Sequence, residues 1–303
     1  MMCAERKISV SRVSQTWAVA RYELTWDLRK KRIYFILALF LLTAFYYGYC
    51  LPKVGGESVV AGAGLQGVHI GSGLWWLYAH AFAFNTLASG LFPLLIGGFI
   101  AADSIGSEFD SNTIVPLLSQ PVRRSEVYAG KLLEKVLLLL VASTVFTFLV
   151  VAGSEVAVGA QSHLEMIPLV ILAESGALLE YTALAFFFGS LVRSGVASLV
   201  ILVTVFLLFL TALMVVSLQT GEQEYMFLLP TANGDFLLKT VFYYIFQPFG
   251  AMVLQGGFGG HWTPQVTVTV TSAVQYAAVG LVVNLVPALA AGYYFFRRAE
   301  VKG

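Results

Sequence analysis

Residues 132–158 read LLEKVLLLLVASTVFTFLVVAGSEVAV. Between Lys135 and Glu155 no side chain carries a charge, and apolar residues fall on every face of a helix drawn through the run. A helix that is apolar all round belongs in a protein core or in lipid. A spanning helix takes roughly 20 mostly apolar residues, and this run is long enough. Five further stretches qualify, at 33–51, 74–102, 167–191, 198–218 and 274–296. The second is long enough to tilt in the membrane or to bend at Pro93. The reading is an all-α integral membrane protein with six transmembrane helices, one domain over residues 1–303.

Composition agrees. Of 303 residues, 58% are apolar and 12% charged, and mean hydropathy is +0.80. A soluble domain carries about 25% charged residues. The figures exclude a disordered chain, a nucleic-acid binder with a basic surface and nearly every soluble enzyme. Net charge is +1, so no global electrostatic argument about partners is available. Two cysteines, Cys3 and Cys50, exclude a disulfide framework and a cysteine zinc site. No cleavable leader is expected: the first apolar run follows Arg29-Lys30-Lys31-Arg32, and no small-x-small cleavage site succeeds it.

Six spans place both termini on one side. All but Lys53 and Lys239 of the 18 lysines and arginines then fall on that side. The positive-inside rule makes it the cytoplasm, so a multi-pass protein of the cell membrane with both termini cytoplasmic is expected. Tyr46, Tyr47, Tyr49, Trp75, Trp76 and Tyr78 fall at the outer boundary, and Trp26, Tyr293 and Tyr294 near the inner one.

Two segments do not span. Within residues 1–32, Val13, Trp17, Ala20, Leu24 and Leu28 recur at helical spacing, with Arg12, Arg21 and Glu23 off the seam and Asp27 beside it. That pattern predicts an elbow helix lying in the inner interface against membrane lipid. Residues 219–272 contain an apolar patch, 236–246, too short to cross and bounded by Asn233-Gly234, Pro248 and Gly250. A re-entrant or interfacial segment between spans five and six is expected. The alternation over 266–271 reads equally as a strand or as the lead-in to the last span.

Between spans two and three, residues 103–131 read DSIGSEFDSNTIVPLLSQPVRRSEVYAGK. A helix exit is followed by a polar turn, a short apolar helix around Ile114, Leu117 and Leu118, a stop at Pro121 and a new helix. Asn112 or Thr113 is placed to cap the short helix. A compact apolar knob of this kind is either a docking surface or a turn tucked against the bundle, and both readings stand on physics alone.

The same segment resembles the type-2 ATP-binding-cassette (ABC-2) permease family. The resemblance is carried by Asp103, Glu108, Thr113, Leu117, Leu118, Ser119, Pro121, Val122, Arg124, Gly130 and Lys131, and by the tail Tyr293-Tyr294-Phe295-Phe296-Arg297-Arg298-Ala299-Glu300. Asn112 replaces the family's usual glycine, and Arg123 its small polar residue. The resemblance implies that residues 103–131 form the coupling loop that docks on cytoplasmic ABC ATPase subunits. It also implies a second permease copy, as homodimer or heterodimer, and export as the direction. The chain has no Gly-x4-Gly-Lys-Ser/Thr loop, since Gly130-Lys131 is followed by Leu132. It is therefore expected not to be an enzyme and to bind no cofactor of its own, ATP and Mg residing on the partner.

Glu174 and Glu180 lie inside the fourth span. A central charge costs about 2.5–3.5 kcal/mol on the insertion scale, while each Leu or Ile returns about 0.3–0.6. Each acid is expected to face protein or water or to be protonated, as part of the translocation path or as a proton-linked group, or else to hold span four by hydrogen bonds. Six positions apart they point about 120° from one another, which argues against one paired site. His69, His80, His163 and His261 fall on the outer side without ligand spacing, so no metal site is expected. Gly98, Ala102 and Gly106 form a small-residue row for close helix packing, within the chain or across a dimer. The alternative function is a secondary transporter or channel using Glu174 and Glu180; no nucleic acid is expected as a partner.

Overall fold

The computed structural model describes residues 12–54, 72–77, 79–80, 91–110, 122–220, 252–254, 266–268 and 270–299. Seven helices carry the described fold. They are α1 Arg12–Asp27, α2 Lys31–Phe45, α3 Leu91–Asp110, α4 Arg124–Val158, α5 Ile167–Val192, α6 Gly195–Thr220 and α7 Val270–Arg298. Among the described residues four helices are long and apolar enough to cross a membrane: Ile33–Val54, Arg124–Val158, Leu164–Val192 and Ala278–Arg298. Within α6, Gly195–Phe209 is a shorter apolar stretch.

The helix starts follow from local chemistry. At the head of α4 the Glu126 carboxylate accepts the backbone N–H of Arg123 at 2.9 Å, filling the cap before the first turn. The α5 helix begins with Pro168 in its first turn, where the missing N–H costs nothing. It ends on Arg193 in the left-handed region, φ 60°, whose N–H returns to the Gly189 carbonyl. The α2 helix passes through a π turn, Tyr46–Cys50. That turn brings Gly48 against Val150 of α4, where a Cβ on Gly48 would stand 2.9 Å from the Val150 carbonyl oxygen.

Two strands of three residues, Met252–Leu254 and Val266–Val268, pair antiparallel in addition to the helices. The 266–271 ambiguity resolves into both alternatives, because α7 starts at Val270 immediately after the strand. The rest of the 219–272 region beyond the end of α6 lies outside the described residues, as does the patch 236–246.

Buried apolar residues form two clusters. One holds Phe40, Trp76, Ile96, Phe146, Val150, Val170 and Leu178. The other holds Leu94, Ile105, Val127, Tyr181, Phe186, Leu202 and Phe296. The glycine row serves packing inside the chain. A Cβ on Gly106 would lie 2.6 Å from the Ser194 backbone, and one on Gly98 would lie 3.0 Å from Leu202. These contacts seat α3 against α6 and the α5–α6 turn.

Candidate functional site

The predicted coupling loop is described only at its two legs. Thr113, Leu117, Leu118, Ser119 and Pro121 lie outside the described residues. Asp103 falls on α3, which continues to Asp110 and carries Glu108 in its last turn. On the other leg, Arg124 opens α4, and Gly130 and Lys131 follow two turns later.

The legs meet in a cluster of buried charge. Lys131 has no exposed surface; its ammonium donates to Glu108 at 2.5 Å and to Glu23 of α1 at 2.8 Å. One turn on, Lys135 pairs with Asp27 of α1 and lies 3.0 Å from the Glu134 carboxylate. Lys30 closes the outer edge on Asp27 at 2.7 Å. Two acids four residues apart on α1 thus match two lysines four residues apart on α4, which zips the helices together. Burial pushes the Asp27 carboxyl up, but Lys135 and Lys30 outweigh it and hold the group below the usual aspartate range.

Gly130 makes the close approach possible. A Cβ there would stand 2.7 Å from the Val19 side chain and 2.9 Å from the Thr16 carbonyl oxygen. Arg124 works elsewhere: its guanidinium donates to the carbonyls of Arg297 and Ala299 at 2.7 and 2.8 Å, satisfying the end of α7. Arg193 sits over the Phe109 ring at 5.8 Å, so the α5–α6 turn rests on the last turn of α3.

The α1 face is a correction to the seam read from the sequence. Glu23, Asp27, Val19 and Ala20 are buried, while Val13, Trp17, Tyr22, Trp26 and Leu28 are exposed. The seam residue Ala20 belongs to the inward face, and Glu23 and Asp27 are the inward contacts rather than bystanders. Lysines 131 and 135 are the reason, since they offer partners that turn the polar side of α1 toward protein. The signal was present as the matched spacings Glu23-x3-Asp27 and Lys131-x3-Lys135.

The two acids of α5 have separate partners. Glu180 has no exposed surface and accepts from the Asn284 side-chain amide of α7 at 3.0 Å. It sits between Leu178 of one apolar cluster and Tyr181 of the other. Glu174 contacts His80 Nδ1, and its second oxygen lies 3.5 Å from the Thr147 hydroxyl of α4. Sequence reading treated His80 as one of four scattered histidines and missed this pairing, which joins segments 94 positions apart. His163 lies 3.0 Å from Glu165 at the surface; His69 and His261 lie outside the described residues. Among the described residues no three His, Cys, Asp or Glu side chains gather as a metal site.

This architecture has a family. A family model described as ABC-2 family transporter protein matches residues 17–301, and the chain belongs to that family. It is a multi-pass membrane component of an ABC transporter, a permease subunit rather than an enzyme. No curated protein matches the chain.

Proposed function

We propose that the chain is the permease subunit of an ABC exporter, with six spans and both termini cytoplasmic. It works paired with a second permease and driven by cytoplasmic ATPase subunits docked on residues 103–131. The observation that carries the reading is Lys131, which bridges Glu108 on one leg of the loop and Glu23 on α1. A push on Thr113, Leu117, Leu118, Ser119 or Pro121, between the two legs in sequence, then reaches α1, α3 and α4 together through Lys131. Such a link converts docking-site motion into rocking of packed helices, the expected form of alternating access. The outward aromatic face of α1, Trp17, Tyr22 and Trp26, suits a helix lying in the inner interface against lipid. Glu180 and Glu174 are the polar groups of the translocation path in this reading. ATP and Mg belong to the ATPase partner.

Leu117→Asp is the test. Leu117 is preferred to Glu108, because reversing a group tied to Lys131 also perturbs packing. The tagged chain is purified from its native membrane, and co-purified proteins are identified by mass spectrometry with nucleotide hydrolysis measured alongside. The parent chain is expected to bring down an ABC ATPase, and the variant to insert normally yet lose the ATPase or its hydrolysis. Equal recovery and equal hydrolysis in both would overturn the docking assignment.

A further inference from the structure

Both acids of α1 turn inward, Glu23 to Lys131 and Asp27 to Lys135 and Lys30. That pairing decides the sign of the opposite face. Among the described side chains of α1 and the turn into α2, the exposed charges are Arg21, Arg29 and Lys31, and all three are cationic. Trp17, Tyr22 and Trp26 are exposed beside them. Tyr22 and Trp26 stack, with ring centroids 6.5 Å apart and planes 14° from parallel.

Helical spacing makes one surface of these groups. Positions 21, 25 and 29 follow at four-residue steps, so Arg21, Thr25 and Arg29 form a stripe about 12 Å long. Trp17 stands one turn before it, and the Tyr22–Trp26 stack runs along its side. The Thr25 hydroxyl donates to the Arg21 carbonyl at 2.8 Å, which leaves the two guanidiniums as the exposed donors of the stripe.

The α2 helix sets the depth of this surface. Its apolar run Ile33–Val54 starts two residues after Lys31, and Tyr34 and Phe35 in the first turn are exposed. Arg29 and Lys31 therefore stand where that helix enters lipid, at the headgroup depth that tryptophan and tyrosine also favour. An acidic protein surface would complement the cations alone. Anionic headgroups above acyl chains complement the cations and the rings together. The sequence outside the described residues supplies little countercharge: residues 1–11 hold Glu5 beside Arg6 and Lys7, and residues 111–121 hold no charge.

We propose that the outward face of α1 and the α1–α2 turn bind anionic phospholipid headgroups of the inner leaflet through Arg21, Arg29 and Lys31. Headgroup selection rests on the interfacial placement of α1 in the reading above, and no ATPase takes part in it. The purified chain is placed in vesicles of equal phosphatidylcholine and phosphatidylglycerol, with bromine on the upper acyl chain of one lipid or the other. Quenching of Trp17 and Trp26 is read as the difference between the parent chain and Trp17→Phe/Trp26→Phe. Brominated phosphatidylglycerol is expected to be preferred about fivefold, the factor one surface cation contributes, and the preference to shrink with added salt. Arg21→Gln/Arg29→Gln/Lys31→Gln is expected to lose the preference while phosphatidylcholine still quenches. Equal quenching by the two lipids in the parent chain would overturn the headgroup assignment. So would a preference that survives salt or the triple substitution. Quenching by neither lipid would overturn the placement of α1 in the interface, and headgroup binding with it.

Discussion

Replacing Lys131 with Met removes the one ammonium shared by Glu23 and Glu108 while keeping a side chain of similar length. Lys131 is wholly buried, and the Glu23 and Glu108 side chains are 6% and 20% exposed. The variant therefore leaves two carboxylates facing each other with no cation between them. Removing one partner of a buried ion pair costs about 3–5 kcal/mol. For a chain of this size each kcal/mol moves the melting midpoint by about 2–4 °C, so a drop of roughly 6–20 °C is expected. Glu108→Gln is the informative comparison. It leaves Lys131 with Glu23 at 2.8 Å and a neutral amide where the second carboxylate stood, a balanced pair. Its loss is expected to be smaller than that of Lys131→Met, since one charge-assisted hydrogen bond contributes about 1.5–3 kcal/mol. The assay is thermal unfolding of the purified chain in detergent, followed by tryptophan fluorescence at constant salt. The reasoning fails if Lys131→Met shifts the midpoint by less than about 2 °C, or if Glu108→Gln is the more damaging of the two.

Arg124→Ala frees the carbonyls of Arg297 and Ala299, which it holds at 2.7 and 2.8 Å. Amide hydrogen exchange over the last turn of α7 should speed up, with about 1–3 kcal/mol lost locally; unchanged protection there would exclude the capping role. Gly106→Ala places a Cβ 2.6 Å from the Ser194 backbone, and overpacking of this kind costs about 1–3 kcal/mol. Its midpoint should fall, whereas Gly98→Ala, with only leucine methyls 3.0 and 3.2 Å away, should fall less. Asp27 is held below the ordinary aspartate value of 3.8, so its charged form contributes stability above that value, lost as pH falls through the lower folded value. Comparing the parent chain with Asp27→Asn over that acid range should show a difference that shrinks as pH drops; a constant difference would refute the assignment.

The helical path of the chain was legible because spans announce themselves by run length and missing charge. The stretch 132–158 reads as one span, and the structure has it within α4, Arg124–Val158. What composition could not supply was the tertiary partner of a lone polar group. Glu174 and His80 are 94 positions apart, and neither has a neighbour in sequence that names the other. The elbow shows a different failure. Spacing put Glu23 off the apolar seam of α1 and Asp27 beside it, and named a protein partner for neither. A buried surface built from Lys131 and Lys135 supplies both, and only comparing charge spacings between helices would have revealed it. The small-residue row allowed packing either within the chain or across a dimer; Gly106 against the Ser194 backbone and Gly98 against Leu202 both make contacts inside it.

The placement of polar groups along α5 bears on where the bundle can yield. Its neighbours divide into two apolar clusters, one ending at Leu178 and the other beginning at Tyr181. Thr182 lies at that junction and donates to the Gly97 carbonyl of α3 at 3.3 Å, while Glu180 accepts from Asn284 of α7. Close-packed apolar layers resist shear because each displaced methyl loses contacts on one side. Hydrogen bonds between helices can instead exchange partners with water or one another when the layers slide. The ionic stem at one end and the tryptophan contacts at the other are multiply tied. Trp75 and Trp76 donate to the carbonyls of Tyr47 and Ser162 at 3.1 and 2.9 Å. On α5 the two clusters therefore meet at polar contacts, those of Glu180 and Thr182. Glu180, wholly buried there, ties α5 to α7 through Asn284, so water reaching this level would meet a carboxylate already held by protein.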